Sequence, residues 1–186
     1  MDTKKVMGLG VIALMLLSTL ALVLVDYAQT GSSTLKYNGV KFTFANNQYT
    51  AKINGQQHSF LFFPGNLEFI NVTDGVKSLL QSPVLTVTYN PNSTFADSLG
   101  SAQYYFEEQL SDVKTIERAV TNNEGVGLPK KSCEDATQSQ PVIELSQGNQ
   151  SIIEADGNCI RIQAFSERDL FEETERVIYA LLGVMS

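Results

Sequence analysis

Hydrophobic and polar positions change their period several times along the chain, and each change marks an element. From Val6 to Val25 no charge interrupts the run VMGLGVIALMLLSTLALVLV. At ~1.5 Å per helical residue such a run spans ~30 Å, the thickness of a bilayer's hydrocarbon core. Beyond it the period falls to two. Val40, Phe42 and Phe44 alternate with Lys41, Thr43 and Ala45, which predicts a half-buried strand. Asn38-Gly39 and Asn54-Gly55 predict two-residue hairpin turns, because a type I′ turn needs positive φ at both central positions. Asn46-Asn47 predicts another turn. Residues 49–53 and 58–63 are the next expected strands, and Pro64-Gly65 ends the meander.

The pattern then becomes mixed. Residues 67–72 are expected as one more strand, and Thr73 or Asp74 caps a short helix that runs to Gln81. Pro83 stops it, and 84–89 (VLTVTY) alternates again as a strand. Phe95, Leu99, Ala102, Phe106, Leu110 and Val113 recur at helical spacing and predict an amphipathic helix. Residues 122–140 are polar and aperiodic, long for a loop inside a compact domain. Short strands are expected at 142–145, 152–154 and 159–164, the last two joined through Asp156-Gly157.

The clearest element comes last. Ser166 and Asp169 have the spacing of a helix N-cap box, and Leu170, Phe171, Val177, Ile178, Leu181, Leu182 and Met185 make one apolar face. This face is expected to pack on the sheet, with Leu181 and Ile178 in the core. Arg168–Glu172 and Glu172–Arg176 are expected i,i+4 pairs, and Glu173 is expected on the solvated side. The order of elements predicts an α+β domain, its helices packed on a mainly antiparallel sheet.

Charge and flanking residues orient the chain. Lys4 and Lys5 precede the apolar run and Asp26 follows it, so the positive-inside rule keeps the N-terminus in the cytoplasm. The expected organisation is a cytoplasmic stretch at 1–5, a single-pass transmembrane anchor at 6–25 in contact with membrane lipid, a linker at 26–34 and an extracytoplasmic domain at 35–186. The rival reading is a cleaved signal peptide. Against it stand the length of the run and the charged Asp26 at the −3 position of the best site, after Ala28. The net charge of −7 becomes −8 over residues 26–186, which opposes binding to a phosphate backbone and argues against a nucleic-acid partner.

Few residues offer chemistry. Cys133 and Cys159 are the two cysteines; in an exported domain an even count points to a disulfide, which would tie the 122–140 loop to the Cys159 strand. The single histidine, His58, has no nucleophile elbow beside it and is read as a surface or core side chain. Glu107-Glu108 and Glu172, Glu173 and Glu175 fall on the polar sides of expected helices and are read as solvated faces. Glu134, Asp135 and Asp156 could collect a Ca²⁺, but no D-x-D-x-D-G loop supports it. No catalytic, cofactor or metal set emerges. Tyr104, Tyr105 and Phe106 cannot all face one core, so one or two are expected outside. Three sequons, at Asn71, Asn92 and Asn149, are candidate glycosylation sites, the last two in expected turns.

The segments LPKKSCEDATQSQPVIEL, DGNCIRI and LFEETERVIYALLGVM set one Cys in a Pro-flanked loop, another in a strand, and a terminal helix ending in a Leu-Leu-Gly turn. This layout, over about the last third of the chain, resembles small uncharacterised membrane-anchored proteins of archaea, a resemblance that implies no activity. The expected function is a non-enzymatic envelope component that contacts a protein partner at the cell membrane. The alternatives are an exported enzyme or accessory subunit, and a small-ligand binding or sensor module. A cleft lined by His58, Tyr or several carboxylates would favour the alternatives; an exposed apolar patch without a pocket would favour the first.

Overall fold

The computed structural model describes residues 33–123 and 125–186. The expected anchor at 6–25 lies outside the described residues, as do residues 1–5 and the linker up to residue 32. Among the described residues no helix is long and apolar enough to cross a membrane.

The chain folds as an α+β domain with two sheets. The first is an antiparallel meander in the order β1 (Ser33–Tyr37), β2 (Val40–Ala45), β3 (Gln48–Ile53), β4 (Gln56–Phe60). Its three turns hold Asn38-Gly39, Asn46-Asn47 and Asn54-Gly55, with φ of 44° and 82°, 52° and 60°, and 52° and 90°. All six residues sit in the left-handed region, which Gly and Asn occupy at least cost and which matches the twist of a hairpin. Ser33 and Thr34, expected in the linker, belong to β1, where they pair with Phe44 and Thr43.

Two sequence expectations fail after β4. The strand expected through residue 63 stops at Phe60, and the strand expected at 67–72 is replaced by a 3-10 turn at Pro64–Leu67 and an irregular segment. Leu67 and Phe69 have the i,i+2 spacing of one strand face, but Leu67 is buried while Phe69 is 74% exposed. The backbone here finds its partners on a helix, as described below.

The second sheet has the order β6-β5-β7-β9-β8, formed by β5 (Val84–Tyr89), β6 (Thr115–Arg118), β7 (Val142–Gln147), β8 (Ile152–Asp156) and β9 (Cys159–Ala164). Here the antiparallel expectation holds only for the β8–β9 hairpin; β5–β6, β5–β7 and β7–β9 are parallel. Parallel neighbours need crossovers: helix α2 (Ala96–Leu110) joins β5 to β6, the long 122–141 segment leads from β6 to β7, and β8 lies between β7 and β9 in the chain. Such a sheet must be covered on both faces. One face is apolar, with Leu85, Val87, Ile143, Leu145, Ile160 and Ile162 all buried against helices. The other face carries Thr86 and Thr88, also fully buried. The loop-like segment covers them: Thr88 Oγ1 donates to Lys131 O at 2.8 Å, and Gln140 Nε2 reaches Thr86 Oγ1 at 3.1 Å and Glu117 Oε2 at 2.6 Å. A Cys133–Cys159 disulfide staples the segment to β9.

Helix α1 (Asp74–Leu79) is capped by Thr73, whose Oγ1 accepts from Val76 N. Helix α3 (Glu167–Leu181) carries the expected capping box, with Asp169 N donating to Ser166 Oγ at 3.2 Å and Ser166 N to Asp169 Oδ2 at 3.1 Å. It ends in a Schellman turn at Gly183 (φ 73°), where Val184 N bonds Tyr179 O and Gly183 N bonds Ala180 O. This helix lies between the sheets. Val177 and Ile178 join the core, and Tyr179 packs on Phe42 and Phe60 of the meander at 6.1 and 4.3 Å between ring centroids. Asn38 Nδ2 donates to Val184 O at 3.0 Å, which ties the first turn to the C-terminus.

Candidate functional site

The amphipathic reading of α3 is half right. Its apolar face is buried as expected, with Ile178 fully enclosed, but Leu181 is only half-buried at the edge of the core. The polar face is the correction. Glu173 and Glu175, expected in solvent, are 2% and 0% exposed, and Arg176 is 5% exposed. Periodicity locates an apolar stripe; it does not show what covers the opposite side. Here residues 61–70 cover it, and the polar side chains satisfy backbone groups that no strand pairs.

Glu175 accepts from the backbone N–H groups of both Leu61 and Phe62. Tyr179 Oη donates to Phe62 O at 2.7 Å. Arg176 Nε donates to Ile70 O at 3.0 Å and its Nη2 to Ser186 O at 2.9 Å, in place of the expected pair with Glu172. Arg168 does pair with Glu172, at 2.7 Å. Tyr105 Oη lies 2.8 Å from Glu175 Oε1 and 2.9 Å from Ser59 O. A phenol has one proton to give. Both contacts are satisfied when Glu175 is protonated, donates to Tyr105, and Tyr105 donates onward to Ser59. Burial pushes the Glu175 carboxyl up to about 7, although the N–H groups of Leu61 and Phe62, and the Tyr105 hydroxyl when it turns to donate to the ionised form, pull the other way.

One turn earlier, the helix meets a pocket. A cavity of about 520 Å³ opens between the start of α3, the start of β8 and residues 69–73. Phe69, Ile70, Ile152 and Ile153 make its apolar wall. Its polar wall carries four carboxylates, Glu154, Asp169, Glu172 and Glu173, and no Lys, Arg or His lines it. Three of the four have different duties. Asp169 Oδ2 is held by Ser166 N and by Ser151 Oγ at 3.0 Å. Glu172 Oε1 is held by Arg168. Glu154 is exposed on the strand. Glu173 differs from all of them: it is buried, and its Oε2 has no hydrogen-bond partner. Burial, reinforced by the negative charges of Asp169 and Glu172, pushes its carboxyl up to about 8.

The other expected residues fall elsewhere. His58 is 4% exposed, with Nε2 3.9 Å from Asp112 Oδ2, too far for a hydrogen bond. It stacks on Phe60, and no serine hydroxyl among the described residues bonds to it. Asp135 closes a capping box on Ser132, and Asp156 pairs with Arg161 at 3.1 Å, so the acids considered for Ca²⁺ are used separately. Among the described residues no group of three or more His, Cys, Asp or Glu is placed to hold a metal ion. Of the three aromatics, Tyr104 faces solvent under Arg118, Tyr105 reaches Glu175 and Phe106 is in the core. Asn71, Asn92 and Asn149 are exposed; Asn71 lines the acidic pocket, and the Asn149 sequon ends at Ser151, which lines it too.

Compared with models of protein families, with curated proteins and with solved structures, the chain matches none.

Proposed function

We propose that this chain is a membrane-anchored, extracytoplasmic binding module whose ligand enters the pocket at Glu173. The single observation that carries the reading is the buried carboxylate of Glu173, left without a partner at the wall of a cavity of about 520 Å³. An unpaired buried carboxyl costs stability, and nothing in the packing of α3 requires an acid there. A wall of aliphatic and aromatic side chains with a few convergent polar groups is the usual make-up of a small-molecule site. The alternative of an envelope component with a protein partner draws on Phe69 and Phe165, which are 74% and 64% exposed.

Placement outside the cytoplasm is supported by the uncharged run at 6–25 behind Lys4-Lys5 and by the Cys133–Cys159 bridge, since disulfides persist in oxidising compartments. A single-pass anchor with the N-terminus inside leaves the chain in the membrane after carbonate extraction and exposes the domain to protease on intact cells. Release by carbonate would contradict the anchor.

Asn71→Trp tests the binding function, because Asn71 is exposed, lines the pocket and makes no side-chain hydrogen bond. The full chain purified from membranes should carry a small molecule, detectable by mass spectrometry, that the Trp variant lacks. Equal recovery from both proteins, or none from either, would contradict a ligand in this pocket.

A further inference from the structure

Resting on the reading of this pocket as a ligand site, we infer that its ligand is a primary ammonium group carried on a short apolar body. Three features of the cavity lead there together. Every charged side chain in the lining is an acid, beside the neutral Asn71, Thr73 and Ser151, so its potential favours a cation and repels carboxylates and phosphates. The opposite wall, from Phe69, Ile70, Ile152 and Ile153, has no polar side chain and fits the methylene or ring portion of a ligand. Glu173 then supplies the specific contact: its Oε2 is buried and unpartnered, and an ammonium N–H is the donor that would complete it.

The basic side chains nearby leave Glu173 unpaired. Arg176, one turn along the helix, donates through Nε to Ile70 O and through Nη2 to Ser186 O; its Nη1 is buried without a partner, and no bond joins it to the Glu173 carboxyl. Arg168 is held by Glu172 and is solvent-exposed. The groups that act on Glu173 are Asp169 and Glu172, both acids. A compact ammonium suits a single deep acceptor better than a guanidinium, whose planar fork asks for two parallel oxygens. The same chemistry occurs in free aliphatic amines and in the lysine side chain of a peptide.

The test uses the full chain in detergent micelles with isotope-labelled isoleucine methyl groups, read by NMR. The probes are n-butylammonium, butan-1-ol, butyrate and N-acetyl-lysine methylamide, all water-soluble. Butylammonium should shift the Ile70, Ile152 and Ile153 methyl signals saturably, and butyrate should not. Glu173→Gln should weaken butylammonium binding about tenfold or more, because a charged hydrogen bond is lost. The signals of Ile143 and Ile162 report whether that variant keeps its fold. Glu154→Gln changes only an exposed residue and should weaken binding about two- to threefold through charge alone. Binding by the lysine derivative would identify a side chain as the natural source, and its failure beside butylammonium would identify a free amine; either supports the inference. Butan-1-ol or butyrate binding as well as butylammonium, or butylammonium binding unaltered by both substitutions, would overturn the inference while leaving the pocket a ligand site. No methyl shift with any probe would remove the pocket reading itself.

Discussion

Glu175 and Phe62 are 113 residues apart in sequence, yet the carboxylate of one accepts from the backbone N–H of the other at 2.9 Å. The same carboxylate also takes the Leu61 N–H, so a single helical side chain replaces the strand that β4 lacks beyond Phe60. Glu175→Ala should therefore destabilise the protein by ~2–4 kcal/mol, since two backbone donors lose their acceptor and Tyr105 loses its partner. Urea unfolding of the full chain in micelles, followed by circular dichroism, measures it. A change below ~0.5 kcal/mol would show that water replaces the carboxylate without cost.

The two buried acids make stability depend on pH in a direction unusual for carboxylates. Both carboxyls are raised, Glu175 to about 7 and Glu173 to about 8, so the folded state holds their protons more tightly than the unfolded chain. Their stabilising contribution is complete below the ordinary carboxylate range and is lost as pH rises through about 7 and about 8. Glu173 faces Asp169 and Glu172 on its own helix and Glu154 across the pocket, and no basic residue lines that cavity. The melting temperature should thus fall between pH 6 and pH 9, by an amount on the order of a few kcal/mol in stability. Glu173→Gln should flatten the upper part of that fall and melt higher than the wild type at pH 9. A variant that melts lower than the wild type at pH 9 would refute the assignment.

Much of this arrangement is legible in the sequence. The meander follows from three Asn-containing pairs that tolerate positive φ, and α3 from Ser166, Asp169 and its apolar stripe. The disulfide follows from cysteine count and placement. What periodicity misses is whatever depends on a distant partner. Thr115–Arg118 is a strand only because Val84–Val87 lies beside it. The parallel pairing of β5, β7 and β9 is set by the covering of both sheet faces, one of them by a segment that reads as loop. Glu173 and Glu175 show the same limit for the site. Their spacing says only that they oppose the apolar face, and their burial comes from residues 61–73, which looked like a strand.

The disulfide holds that loop-like cover over Thr86 and Thr88. It closes a separation of 26 residues, for which chain entropy gives ~3–4 kcal/mol. Reduction should lower the urea midpoint accordingly and speed proteolysis between residues 122 and 141. Mass spectrometry after alkylation, with and without reductant, should show no alkylated cysteine in the unreduced sample. Two alkylated cysteines there would show that the bridge is not formed.

Side-chain truncation along α3 should separate core from rim. Ile178 is fully buried and Leu181 only half-buried. Ile178→Ala should cost ~2–5 kcal/mol and Leu181→Ala roughly half as much. The melting temperatures of the two variants check this ranking, and an equal loss would place Leu181 inside the core.

The burial of Glu173 at the pocket wall is the claim on which the account turns, and the titration of its carboxyl measures it most directly. With the glutamate side-chain carbonyls labelled and the Glu173 signal assigned by its loss in Glu173→Gln, its chemical shift can be followed from pH 3 to pH 10 in the full chain. The buried, unpartnered carboxyl should titrate near pH 8. Addition of a saturating ammonium ligand should move that midpoint down, because the cation favours the ionised form. A midpoint between 4 and 5, the range of an ordinary solvated glutamate, would contradict the account.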